Sequence, residues 1–376
     1  MNILFVSSCF PTKEMPQYGI FVFQLAKALI EQNNNVEVLI PESNVDDDYI
    51  YEGIKTFRLK TFPTFFTTNL FISSHKTSEK LLSFFKKHSY DCVIAHFADF
   101  STFASLLHVC KKNNIKLFNY CHGLNVYNDI DPKHKLFDAF KGVRKKMFYN
   151  CTDGLICVSN LVASFLKKRK IKRPIYVVEN GVDSSLFTFR DRKVIHELRI
   201  ISIGNLFPLK GHSFLITALA SFIKKRPGVS VKLDIYGRGQ ELNNLSNLVS
   251  KLGLEEIVTF KGYVRYDTLA QEINNYDVFC LPSYYEAFGC VYLESMSSGL
   301  ITIGCKGQGD EEFIVNGVNG YLVDPCSPAS IVNCFETILN NLPENLSLNG
   351  RKTAEHYSWE LCASKLVNVL KSENIK

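Results

Sequence analysis

Short apolar runs alternate with longer stretches of helical periodicity along the whole chain, and this alternation limits the fold more than any other feature. Strand and helix in repeated succession are the mark of parallel α/β layers. In the first half strands are expected at 2–7, 35–40, 91–95, 115–120, 154–158 and 175–178, with helices at 20–32, 100–113, 135–150 and 159–169. In the second half strands are expected at 198–203, 230–236, 256–260, 277–281, 300–304 and 320–323. Helices fit at 211–225, 239–252, 266–275, 290–298 and 327–341. The polar stretch Asp183 to Glu197, with its charged run Arg190-Asp191-Arg192-Lys193, separates the two series and reads as a linker.

A chain of 376 residues is long for one core, which fits this division. The expected domains are 1–185 and 195–355, each Rossmann-like and doubly wound, with 356–376 as a C-terminal helix packing back. Trp359, Leu361, Leu366, Val367 and Leu370 give that last segment an apolar stripe. Doubly wound sheets bind ligands at the carboxyl ends of their strands, and two of them facing each other make a central cleft.

Hydrophobic residues at 46% and charged residues at 21% exclude a disordered chain. No window of about 18 uninterrupted apolar residues offers a spanning helix, so any membrane contact is expected to be peripheral. The start, Met1-Asn2-Ile3-Leu4-Phe5-Val6, lacks a basic leader and reads as a first strand. Twelve cysteines show no CxxC or other metal-ligand spacing and fall mostly in apolar runs, which points to a reducing cytoplasm. Residues 1–190 carry 25 Lys and Arg against 17 Asp and Glu, and 191–376 carry 18 against 20, so the basic surplus is confined to the first half. Arg144-Lys145-Lys146 and Lys167-Lys168-Arg169-Lys170 are solvated helix faces or approach an anionic lipid or acceptor. The Phe-rich stretch 57–72 is a loop packed on the core or an acceptor or membrane surface.

The chemistry concentrates in 282–299, directly after the strand expected at 277–281. Glu286 falls in a turn at that strand's carboxyl end. Gly289 then opens a helix whose amide groups near Phe288, Gly289 and Cys290 could hold a diphosphate. Glu294 lies about one turn inside, on the side from which it could reach a ribose. No GxGxxG follows a strand and no GxxxxGK[ST] occurs, which argues against a dinucleotide oxidoreductase or a P-loop kinase. Asp46-Asp47-Asp48 reads as a solvated run in a polar loop, not a metal motif; no metal and no cofactor are expected. In the first half Gly19 follows the first strand and its loop, while His96 and His122 end two strands of the same sheet.

The stretch Glu286 through Glu294, with its E-x-F-G, L-E and M-x-x-G surroundings, resembles the E-x7-E signature of retaining glycosyltransferases of the GT-B fold, family four (glycosyl transferases group 1). Five further segments resemble that family in the same order: Asn180-Gly181-Val182-Asp183, Gly204-Asn205-Leu206 with Lys210-Gly211, Tyr236-Gly237-Arg238-Gly239, Phe260-Lys261-Gly262-Tyr263-Val264 and Gly307-Gln308-Gly309-Asp310-Glu311-Glu312. Asn319-Gly320-Tyr321-Leu322-Val323 closes the series. The resemblance is dense from 178 to 323.

The resemblance implies a transferase that moves a sugar from a nucleotide diphosphate sugar to a glycan or lipid-linked acceptor, in cell-surface polysaccharide synthesis. It implies catalytic roles for Glu286, Lys210 and His122, the last beside the transferred sugar. Donor contacts would come from Gly19, Asn205, Val264, Phe288, Gly289, Cys290 and Glu294, and His96 would line the acceptor side. Lys210 would meet the negative charge that develops on the diphosphate as the sugar leaves. Asn205 stands where the family usually has Arg, which removes one fixed positive charge. A non-catalytic GT-B subunit supporting a partner enzyme is the second expectation, and an epimerase or hydrolase on this fold a third. The protein is expected in the cytoplasm, free or peripheral at the inner membrane face, with no nucleic acid partner.

Overall fold

The structure is a computed structural model that describes residues 1–41, 43–61, 70–97, 100–123, 146–193, 195 and 197–375. Arg144, Lys145, Phe62, Phe65 and Phe66, and positions 135–145 of the helix expected over 135–150, lie outside the described residues. The chain divides into two compact units: Met1–Gly181 with Trp359–Lys376, and Val182–Ser358.

The first unit is built on eight strands, β1 (Asn2–Ser7), β2 (Asn35–Ile40), β3 (Asp47–Tyr51), β4 (Ile54–Arg58), β5 (Cys92–Phe97), β6 (Lys116–Cys121), β7 (Gly154–Cys157) and β8 (Ile175–Val177). Their order is β3-β4-β2-β1-β5-β6-β7-β8. Every neighbouring pair is parallel except β3 with β4. Ile3, Leu4, Phe5 and Val6 are fully buried because β1 is covered on both faces. Four helices, α1 (Ile20–Glu31), α2 (Leu70–Lys87), α3 (Phe100–Lys112) and α4 (Asn160–Lys168), provide crossovers. Ser159 caps α4 by accepting the Val162 N–H.

The sequence periodicity missed β3, β4 and α2. Asp47 and Asp48, expected in a solvated loop, begin an edge strand, which needs no burial on its outer side. Their charges are not simply solvated: Arg58 clasps Asp47, and Lys80 lies 2.8 Å from Asp46. Glu52 and Gly53, with φ of 44° and 85°, turn the β3–β4 hairpin, and two positive φ values are the requirement of its tight turn.

The second unit is a wholly parallel sheet of six strands, β9 (Leu198–Ile203), β10 (Val231–Tyr236), β11 (Val258–Gly262), β12 (Val278–Cys280), β13 (Ile301–Cys305) and β14 (Tyr321–Val323), in the order β11-β10-β9-β12-β13-β14. Its helices are α5 (His212–Lys225), α6 (Leu242–Leu252), α7 (Tyr266–Glu272), α8 (Cys290–Ser297), α9 (Pro328–Asn340) and α10 (Leu346–Glu355). Leu215, Leu219, Phe222 and Phe335 pack with Ile200, Leu233 and Ile303 in one core. Strand order reverses at β9, with β10 on one side and β12 on the other, which makes the carboxyl ends of β9 and β12 the switch point where sheets of this kind bind ligands.

The stretch expected as a linker is part of this second unit. Arg192 is 3% exposed and donates to the carbonyls of Arg190 (2.8 Å), Tyr276 (2.7 Å) and Ser298 (2.7 Å). Its charge made the stretch look solvated, yet the guanidinium satisfies backbone oxygens that would otherwise be buried without donors.

The C-terminal helix α11 (Trp359–Ser372) packs back on α1 in the first unit, burying Trp359, Cys362, Ala363, Leu366 and Leu370. Gln32 Nε2 donates to the Glu360 carbonyl (2.8 Å) and to Ser364 Oγ (2.9 Å), fixing the register of the two helices. Among the described residues no helix is long and apolar enough to cross a membrane.

Candidate functional site

The loop after β9 folds into a 3-10 turn, Pro208–Lys210, that ends on Gly211 at φ 73°. A Cβ on Gly211 would sit 2.2 Å from the Pro282 carbonyl oxygen, so glycine alone lets this loop press against the one after β12. The Tyr284 N–H donates to the Leu209 carbonyl (3.0 Å) and holds the two together. The result is a contact between residues 76 positions apart: Lys210 Nζ lies 2.6 Å from Glu286 Oε2. The side chains are 23% and 12% exposed, so the pair is shielded yet reachable. A third loop braces Glu286, whose N–H donates to Gln308 Oε1 (3.1 Å) and whose carbonyl accepts from Gly309 (2.8 Å).

Gly289, at φ 86°, forms the N-terminal boundary of α8 without a side-chain cap. The first-turn amides of a helix face outward with partial positive charge, which suits an anion. Phe288 is 1% exposed and packs on Phe313 and Tyr357, so it offers this end of the helix a main-chain group only. Cys290, the first residue of α8, is partly buried. Glu294 is the fifth residue of α8 and partly buried; burial pushes its carboxyl up to about 7, opposed by a hydrogen bond from the Tyr266 hydroxyl. Val264 follows β11 and is partly buried, whereas the Asn205 side chain is exposed.

Asp310 is a further carboxyl of this unit that sequence reasoning did not single out. It is fully buried, its Oδ2 accepts from the Cys305 N–H (2.8 Å), and its Oδ1 has no partner. Burial pushes it up to about 8, the Glu286 charge adds to the rise and Lys210 opposes it. A Cβ at Gly304 would lie 2.0 Å from Asp310 Oδ2, so this glycine makes the room. In the sequence it stands within the Gly307 to Glu312 segment that resembles the family, between the bracing glycine and two glutamates, with nothing local that marks it as buried. His212 was also missed: it is 2% exposed, and burial, with Lys210 nearby, pushes it down to about 4.

In the first unit Gly19 opens α1 at φ 74°, where a Cβ would lie 2.3 Å from the Cys9 carbonyl oxygen. His122 directly follows β6, and His96 lies in β5. Their rings meet: His96 Nδ1 is 3.0 Å from His122 Nε2, and both stack on Tyr120. His96, expected on the acceptor side, is 2% exposed. Its ring packs against those of Phe5, Tyr120 and His122.

The structure therefore gathers Lys210, Glu286 and Asp310 electrostatically, sets Glu294 against Tyr266 in the same unit, and joins His96 to His122 in the other. Among the described residues no group of three or more His, Cys, Asp or Glu side chains gathers as for a metal ion.

Two such parallel sheets define a class. The chain shares its fold with sucrose-phosphate synthase from Thermosynechococcus elongatus at a TM-score of 0.81, with 21% identity over 99% of this chain and 98% of that one. Anabaena HepE, solved with UDP and glucose, matches at 0.76 with 19% identity over 99% of this chain and all of that one. The fold is GT-B.

Glycosyl transferases group 1 match residues 188–353, and Glycosyltransferase Family 4 matches residues 19–186. The chain belongs to the group 1 glycosyltransferases and is a transferase enzyme. An uncharacterised glycosyltransferase of Methanocaldococcus jannaschii is 27% identical over 99% of this chain and 98% of its own length. D-inositol 3-phosphate glycosyltransferase of Geodermatophilus obscurus is 29% identical over 52% of this chain, and the match spans 46% of that protein. A lipopolysaccharide core biosynthesis glycosyltransferase of Rhizobium meliloti is 28% identical over 60% of this chain and 66% of its own.

Proposed function

We propose that this enzyme transfers a sugar, with retention of anomeric configuration, from a nucleotide diphosphate sugar to a glycan or lipid-linked acceptor in cell-surface polysaccharide synthesis. The observation that carries this reading is the Lys210–Glu286 pair at 2.6 Å beside the glycine-opened helix that bears Glu294. The lipopolysaccharide core relative and the UDP- and glucose-bound neighbour support the choice of acceptor and donor class.

In this mechanism the diphosphate rests on the N-terminal end of α8 near Phe288, Gly289 and Cys290, and Glu294 accepts the ribose hydroxyls. Lys210 neutralises the charge left on the phosphate when the sugar bond breaks. Its pairing with Glu286 keeps the ammonium in place before the donor arrives. Glu286 faces the sugar, holds its hydroxyls and stabilises positive charge at the anomeric carbon while the acceptor attacks from the leaving-group side. Val264 and the backbone beside it brace the nucleobase, Gly19 gives the donor close approach to backbone, and His122 serves the transferred sugar. No metal ion or cofactor takes part in the scheme. The reaction runs in the cytoplasm, where the basic surplus of the first half favours an anionic membrane face or acceptor.

Glu286→Gln is expected to lower transfer by orders of magnitude and to leave nucleotide affinity nearly intact, as measured by product formation and calorimetry on the same preparation. Near-normal turnover would remove Glu286 from the reaction. A non-catalytic role is the reading that Asn205 favours, because the usual arginine is missing there. Transfer by the parent chain alone, with a nucleotide sugar found by thermal-shift screening, decides against it.

A further inference from the structure

Every neighbouring strand pair of the second sheet is parallel, so the loops that follow β9 to β14 leave from one edge. Lys210, Arg238, Lys261, Arg265 and Lys306 are the Lys and Arg side chains at or just beyond the carboxyl ends of these strands. Four of them have a carboxylate partner: Lys210 lies 2.6 Å from Glu286, Lys261 3.7 Å from Asp234, Arg265 3.1 Å from Asp267 and Lys306 2.8 Å from Asp324. Among the described residues Arg238 has none. It is exposed, and its guanidinium lies over the Tyr263 ring, 5.5 Å from the centroid, a cation–π contact that uses none of its N–H donors. The Leu206 N–H donates to the Arg238 carbonyl (2.9 Å) and the Gly204 N–H to the Tyr236 carbonyl (2.9 Å), which lays Arg238 beside the exposed, uncharged Asn205. An added Cβ at Gly237 would sit 1.9 Å from the Gly204 carbonyl oxygen, and one at Gly204 would sit 3.8 Å from Lys210 Cδ. Gly237 therefore lets the Arg238 loop press on Gly204, and the Lys210 stem runs past the same residue.

We propose that Arg238 is a second cation for the donor's diphosphate, donating from its guanidinium to phosphate oxygens that Lys210 cannot neutralise alone. This deepens the reading above, in which the second unit holds a nucleotide diphosphate sugar, and rests on it. The need for a second cation follows from charge: each phosphorus of a diphosphate bears a negative charge, while the Lys210 ammonium is already shared with Glu286. A guanidinium suits the task because its planar fork meets two phosphate oxygens at once, which an ammonium does not. Tyr263 beneath it limits the directions that a long exposed side chain can take, so less freedom is lost when the anion arrives.

The test is calorimetric titration of the intact chain, without acceptor, with UDP, GDP, ADP and dTDP as probes. For the probe that binds tightest, the phosphate-free nucleoside is followed in parallel by ligand-observed NMR. Arg238→Gln is expected to weaken the nucleoside diphosphate by about 10- to 100-fold, the loss of a charge-assisted hydrogen bond, and to leave nucleoside affinity unchanged. Arg238→Lys, which keeps the charge and loses the fork, should fall between parent and Gln variant. Unchanged diphosphate affinity in Arg238→Gln overturns the proposal. An equal loss for nucleoside and diphosphate overturns it as well, since Arg238 would then contact the base. Should Arg238→Gln fail to fold, as far-UV dichroism would show, Arg238→Lys decides by the same comparison. A parent that binds none of these probes overturns the donor reading and this proposal with it, whereas tight binding that ignores Arg238 overturns the proposal alone.

Discussion

At the residue scale, the second unit holds carboxyls whose environments differ. Glu294 is pushed up to about 7 by burial, so its charged form appears only as pH rises through neutrality. A charged acceptor to a ribose hydroxyl contributes roughly 1.5 to 3 kcal/mol. Glu294→Gln should therefore weaken nucleotide binding by about ten- to a hundredfold. In the parent, affinity should rise between pH 6 and 8, and in the Gln variant that slope should vanish; calorimetry across the range would show it. Asp310, pushed up to about 8 from an ordinary carboxyl value near 3.8, gives the opposite sign for stability. The unfolded chain releases this proton first, so the contribution is complete below pH 3.8 and is lost as pH rises to about 8. Asp310→Asn removes the titration while keeping a carbonyl for the Cys305 N–H. Its melting temperature should match the parent near pH 4 and exceed it by a growing margin toward pH 9.

At the scale of elements, the site depends on loops locked by backbone contacts that no local propensity dictates. Gly211 against Pro282, and Gly309 against the Ala287 carbonyl at 2.1 Å from an added Cβ, let three loops share one small space. The segment before β9 is locked differently, by the Arg192 guanidinium among backbone carbonyls. Arg192→Leu leaves several buried oxygens without donors, at about 1 to 3 kcal/mol each. The second unit should then unfold at lower urea with an unchanged slope, read by tryptophan-independent far-UV dichroism, and the nucleotide should still bind at low denaturant.

At the scale of the whole molecule, the chain leaves its first unit at Gly181 and returns to it at Trp359, so the last helix belongs to the first sheet. Removing 359–376 strips Trp359, Leu366 and Leu370 from the face they share with α1. Fully burying each such side chain is worth about 1.5 to 3 kcal/mol. The truncated chain should show a lowered melting transition for the first unit in calorimetry. The transition that nucleotide raises, that of the second unit, should stay where it is. Equal shifts of both transitions would mean that the helix supports the second unit as well.

Much of the fold was legible in the sequence because buried parallel strands are continuous apolar runs: β1, β9 and α8 fell within a residue of their expected bounds. What escaped were the half-polar edge strand β3, its hairpin partner β4, and α2; β3 carries a weak pattern because its outer side needs no burial. The candidate site divides the same way. The spacing from Glu286 to Glu294 sits within one loop and one helix, so local sequence determined it. The Lys210–Glu286 pair was foreseen as two separate residues, but their contact was not, since it depends on a glycine-sized gap between loops 76 residues apart. Asp310, Arg192 and His96 were decided by the tertiary structure alone. A charged or polar side chain reads as exposed until the fold shows what surrounds it, because burial and partner distance belong to packing and leave no periodic trace in the chain.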